Sequence, residues 1–128
     1  MAGYVENIEK LTLENSFFRK VLFTAPHSQL VLMCLKPNED IGMEVHNNVD
    51  QFFRIEEGEG KVILNGEEHI ISDGSAVIVP AGTEHNVINT SADKNLKLYT
   101  IYSPANHKDG TVHQTRAEAM AAEEEEGH

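Results

Sequence analysis

Gly74-Ser75-Ala76-Val77-Ile78-Val79-Pro80-Ala81-Gly82-Thr83-Glu84-His85-Asn86-Val87-Ile88-Asn89 reads as strand, turn and strand. Ala76–Val79 is a short apolar run of the kind that forms a buried strand. Pro80-Ala81-Gly82 breaks it, and His85 opens a second alternating run. A turn that delivers a histidine to the start of a strand is how a small β-barrel aims an imidazole inward. Imidazole is the commonest metal ligand among side chains. His85 alone reads more readily as a structural histidine than as a ligand, so its meaning depends on what converges on it.

The candidates lie upstream, in Gly42-Met43-Glu44-Val45-His46-Asn47-Asn48-Val49-Asp50-Gln51-Phe52-Phe53. Residues i and i+2 of a strand share a face. Glu44 and His46 therefore point one way, and Met43 and Val45 the other. After the turn, Gln51, Phe53 and Ile55 share a face opposite Phe52 and Arg54. If the Glu44/His46 face is interior, Gln51 can meet it from a neighbouring strand and His85 from a third. Carboxylate, two imidazoles and an amide oxygen form a mixed N/O set suited to divalent Fe, Mn, Ni, Co or Zn. The alternative is a solvent-facing Glu44 that takes His46 out with it. Asn48 is a fallback oxygen ligand, although it falls in the turn.

Strand signals run from about residue 17 to 102. Phe17–Thr24, Gln29–Lys36, Met43–His46, Gln51–Glu56, Lys61–Leu64, Glu67–Ile71, Ala76–Val79, His85–Asn89 and Leu96–Tyr102 are short and separated by turn residues. Asn65-Gly66 between two of them is a strong hairpin signal, because both central residues need φ > 0. Many short strands with glycine turns indicate an antiparallel sandwich or barrel. Gln114–Glu126 reads instead as a helix. Thr115 and Glu118 form a capping box at its start, and its terminal glutamates oppose the helix dipole. The expectation is a solvated tail.

The formal net charge of −11 excludes some partners. The tail contributes Glu118, Glu123, Glu124, Glu125 and Glu126, but the body is acidic without them. Such a chain is repelled by phosphate backbones and anionic membrane surfaces, so neither nucleic acid nor membrane is an expected partner. No apolar run is long enough to span a bilayer, and the N-terminus lacks the features of a signal peptide. A cytoplasmic setting is expected. The one cysteine, Cys34, sits in an apolar run and reads as a packed hydrophobe.

Gly74, Pro80, Gly82, His85 and Asn89 match the second motif of the cupins in full, and the chain resembles that superfamily over roughly residues 28–102. The first cupin motif is matched in part. Gly58 closes it, Gln51 stands at the usual Glu, His46 at the second His and Glu44 at the first. Asn38 stands where the motif opens on Gly. The resemblance implies an all-β double-stranded β-helix, a jelly-roll barrel, with a short C-terminal helix. The barrel domain would cover 1–113, with its motif core at about 38–89, and the helix and acidic tail 114–128. It also implies a divalent transition metal held by Glu44, His46, Gln51 and His85. Glutamine at the third position is a ligand in some cupins, notably a group acting on unsaturated uronate sugars.

The expected function is a metal-dependent enzyme acting on a small polar molecule inside the barrel, by isomerase, lyase or dioxygenase chemistry. Glu44 would be its catalytic base where it does not ligate. The alternative is a non-catalytic binding or sensing barrel, with or without metal. Phe53, Ile55 and Tyr102 are expected to line the pocket. His107 and His113 read as surface loop histidines, with a lid over the barrel mouth as the alternative. No cation other than the metal is evident inside. A homodimer is expected, with Phe17–Phe23 as a strand to donate to a partner's sheet.

Overall fold

The computed structural model describes residues 2–125, so Met1 and residues 126–128, including the tail's Glu126, lie outside the described residues. The elements are α1 (Ile8–Glu14), β1 (Arg19–Thr24), β2 (Gln29–Leu35), β3 (Asp50–Glu57), β4 (Glu59–Leu64), β5 (Glu67–Ser72), β6 (Ala76–Val79), β7 (His85–Asn89), β8 (Leu96–Ser103), β9 (Val112–His113) and α2 (Arg116–Glu125). The strands form a six-stranded sheet, β6-β3-β8-β2-β1-β9, and a three-stranded sheet, β5-β4-β7. All pairings are antiparallel. Val62 and Val87 from the small sheet pack in one core with Phe53, Ile55 and Leu98 from the large one. This is the expected all-β jelly roll.

Register fixes what the interior sees. On β3, Gln51, Phe53 and Ile55 are buried while their neighbours are not. They oppose Tyr102, Thr100 and Leu98 of β8, which are the inward set of that strand. A one-residue slip of β3 would turn Gln51, Phe53 and Ile55 outward, so burial itself holds the register. Arg54 points outward as expected and pairs with Glu56 at 3.2 Å. Asn65 and Gly66 take φ of 48° and 84°, the hairpin geometry their sequence called for.

Four parts of the chain add to or depart from the sequence reading. Residues 8–14 form a helix, capped by the Asn7 side chain accepting from the Lys10 N–H at 3.0 Å. Met43–His46 is not a full strand, because only Glu44 pairs, with His85. β1 is bordered inside its own chain by β2 and, at Arg19 and Lys20, by β9. Beyond Val21, whose N–H donates to the Thr111 oxygen at 2.9 Å, the outer edge of β1 has no strand beside it among the described residues.

The fourth difference is α2. Its capping box forms as expected, with the Glu118 N–H donating to Thr115 Oγ1 at 3.1 Å and the Thr115 N–H donating to Glu118 Oε2 at 3.3 Å. It is not a solvated tail, however. Ala119 is fully buried and Met120 packs on the core. Arg116 donates to the Asp40 backbone oxygen at 2.8 Å and to Asp40 Oδ1 at 2.9 Å. The small apolar residues on one side of an Ala-rich helix let it lie flat on the barrel, and its acidic end points to a cation already there.

Candidate metal centre

Glu44 and His85 are brought together by backbone pairing. The Glu44 N–H donates to the His85 oxygen at 2.8 Å, and the His85 N–H to the Glu44 oxygen at 2.9 Å. Directly opposed residues of an antiparallel pair project to the same face, and His46, two residues on, shares it. Gly82 N–H donates to the His46 oxygen at 2.8 Å, tying the Pro80-Ala81-Gly82 turn to the same segment. One side-chain ligand atom from each of Glu44, His46 and His85 lies within 4.8 Å of the others.

These atoms are not otherwise engaged. His46 Nε2 and His85 Nε2 are buried without a hydrogen-bond partner. His85 Nδ1 stands 3.0 Å from the Thr83 carbonyl, which can only accept. The proton is therefore on Nδ1 and the Nε2 lone pair faces the cluster, the usual arrangement behind a metal-ligating histidine. Gln51 is buried. Its Nε2 donates to Thr100 Oγ1 at 3.0 Å, and its Oε1 has no partner. Buried acceptors left unpaired are costly, and a divalent cation would satisfy them. The residues therefore fit a metal. His46 Nε2 and Glu44 Oε2 are 3.6 Å apart, close to the separation of about 3–3.5 Å between two atoms that each sit about 2.1 Å from one ion.

Electrostatics agrees. Burial, then the neighbouring His85 and Arg19, hold His46 below its ordinary value. Burial does the same to His85, against a smaller upward pull from Thr83. Both are thus kept as neutral imidazoles, the ligating form. Burial pushes Glu44 up to about 7, with Arg19 opposing and Glu123 adding to the rise.

A cavity of about 480 Å³ opens beside this cluster, with Glu44 and His46 in its wall. Its walls correct three expectations. Phe53, Ile55 and Tyr102 are not wall residues. They are packed solid at 0%, 0% and 2% exposure, with Phe53 behind His85 and Tyr102 behind His46, at ring separations of 6.3 and 6.1 Å. His107 and His113 do line the cavity and are not free surface histidines. Gln29 holds the His107 backbone at both ends, accepting from its N–H at 3.0 Å and donating to its carbonyl at 2.7 Å. The ring stands 3.3 Å from the Tyr102 hydroxyl, and burial, with Arg19, His113 and His46 adding, lowers it to about 3.

The third correction is Arg19, 1% exposed and in the cavity wall. The interior does hold a cation. The sequence signal was present but weak, since Arg19 alternates with exposed Lys20 and buried Val21 at the start of a strand. Asn48, the fallback oxygen ligand, is exposed.

Residues 31–102 match the cupin domain family. The chain is a cupin. It is 51% identical over 127 residues to the uncharacterized protein YrkC of Bacillus subtilis, covering 94% of this chain and 68% of that one. It is 46% identical over 120 residues to the uncharacterized protein L612 of Acanthamoeba polyphaga mimivirus, covering 91% and 74%. The crystal structure of BH2720 from Bacillus halodurans superposes with a TM-score of 0.89 at 45% identity, over 92% of this chain and 93% of that one. The cupin motif also explains Asn38. Where the motif opens on glycine, Asn38 takes φ of 65°, and asparagine is among the few other residues that visit this region readily. The backbone turn is retained although the residue has changed. No helix among the described residues is long and apolar enough to cross a membrane.

Proposed function

We propose that this cupin is a metal-dependent enzyme that acts on a small polar molecule in the cavity above Glu44, His46, Gln51 and His85. One observation carries the reading: His46 Nε2, His85 Nε2 and Gln51 Oε1 are buried without partners, and Glu44 stands beside the two imidazoles. Glu44, His46 and His85 would hold a divalent Fe, Mn, Ni, Co or Zn ion, with Gln51 Oε1 as a neutral fourth donor. When bound, the ion would supply Lewis-acid polarisation of a substrate oxygen or redox chemistry.

The chain's own residues supply the rest. Thr100 orients the Gln51 amide. The Thr83 carbonyl fixes the His85 tautomer. Glu44 lines the cavity and is the carboxylate placed to accept a proton from a bound molecule when it is not ligating. α2 and the 104–113 segment cover the mouth and limit entry of water. A cytoplasmic homodimer is part of the same proposal.

The test is elemental analysis of protein purified without chelator, beside His46→Ala and His85→Ala. Near-stoichiometric transition metal in the parent, lost from both variants, is the expected result. No metal in the parent even after reloading would sink the enzyme reading and leave a binding or sensing barrel.

A further inference from the structure

Arg19 is an incompletely satisfied cation in the cavity wall. A guanidinium has five N–H donors. In this one, Nη1 reaches His113 Nδ1 at 3.3 Å. The same atom lies 3.9 Å from Glu123 Oε1, beyond hydrogen-bond length. Nε is buried with no partner. The ring of Phe18 lies 5.4 Å from Cζ. A buried charge is costly to keep unless its donors are engaged. Here it is kept in the wall of a cavity it shares with Glu44 and His46, in a chain of net charge −11. Lys108 adds a second cation at the rim of the same cavity.

We propose that Arg19 binds the carboxylate of a small organic acid in this cavity, and that Glu123 of α2 stands at the same guanidinium until that acid displaces it. The proposal rests on the cavity being the ligand site, as the proposed function has it. The planar fork of arginine matches a carboxylate through two parallel hydrogen bonds, which lysine cannot make. Glu123, partly exposed and too distant to hydrogen-bond, is a weak occupant that a better-placed carboxylate replaces. A singly charged acid fits better than a phosphate, because Glu44 and Glu123 flank the position and repel each added negative charge. The acid's remaining polar groups would then lie in the cavity that holds the metal ligands, which names the substrate class as a small carboxylic acid.

The test uses the full chain stripped of metal with chelator, so it reads the anion site independently of metal content. Propionate, propionamide and inorganic phosphate are titrated separately and followed by ¹H–¹⁵N NMR. Propionate is expected to shift the Arg19 side-chain N–H and the amides of His113 and Ala122 saturably, with propionamide and phosphate far weaker. Arg19→Lys keeps the charge and is expected to weaken propionate about tenfold; Arg19→Gln should abolish binding. Glu123→Gln is expected to tighten it about threefold by removing the competitor. Equal response to propionamide, a preference for phosphate, or binding unchanged in Arg19→Lys would overturn the proposal. So would the absence of propionate binding in both the parent and Glu123→Gln. Each of these results leaves the metal measurement untouched.

Discussion

The floor and the roof of the cavity are built in different ways. The floor is backed by regular sheet: behind the lining residues Glu44 and His46, Gln51, Phe53, His85 and Thr100 lie on β3, β7 and β8 and are at most 2% exposed. Their positions follow from strand alternation and from packing on both sides. The roof is irregular chain that returns from elsewhere: the 104–113 segment, β9 and α2. It is held by a few polar ties, the Gln29 clamp on His107 and the Arg116–Asp40 pair. The contrast separates rigid ligand geometry below from an access layer above. Substitutions should therefore behave differently according to which layer they touch.

Phe53→Ala should have the largest effect on stability. Its ring is fully buried against His85 and in the core shared by the two sheets. Truncation of a buried Phe costs about 3–5 kcal/mol through lost burial and the cavity left behind. Denaturant unfolding should show that loss as a lower midpoint. A cost under about 1 kcal/mol would mean that the floor relaxes as easily as a loop, and the contrast between floor and roof would fail.

Thr100→Val sits next in size and acts on the ligand set alone. It keeps the shape of the side chain but removes the acceptor for Gln51 Nε2. The expected loss of stability is about 1–3 kcal/mol, since a buried N–H is left unpaired. The more telling readout is metal affinity, which should fall about 10–100-fold, as it does when residues that orient a ligand are removed. Unchanged affinity in a competition assay would show that Gln51 is not a donor, and the ion would be held by Glu44, His46 and His85 only.

What was legible in the sequence follows the same division. The strand at His85–Asn89 stands where its apolar alternation put it, whereas Ala76–Val79, expected as a buried strand, is an edge strand with Ile78 exposed. The Glu44/His46/His85 grouping could be read because period-2 alternation and the spacing of the cupin motif are local properties. Gln51 kept its inward parity for the same reason. The roof could not be read in that way. Ala119 and Glu123 touch the barrel through contacts with residues far away in sequence, and an Ala- and Glu-rich helix looks the same whether docked or free. His107 is placed by Gln29 across most of the chain's length, and no spacing rule encodes that. Arg19 was missed because a basic residue near the start of a strand normally faces water. Its burial depends on β9 and α2 arriving to cover it.

Arg116→Ala is the mildest of these changes and tests the roof directly. It removes two hydrogen bonds from the guanidinium to Asp40 while leaving every strand intact. Both partners are about one-third exposed, so the net stability cost should stay near or below about 1 kcal/mol. The local effect should be larger than the global one. Losing the tie lowers the free energy of opening for α2 without altering that of the sheets. Amide hydrogen exchange should therefore accelerate through residues 117–122 and stay unchanged in β3 and β8, as expected of a unit that opens by itself. Equal acceleration in both layers would instead mean that roof and floor unfold as one unit. In that case α2 would be part of the barrel's own core, and an acid entering at Arg19 would have to open the whole barrel rather than displace one glutamate.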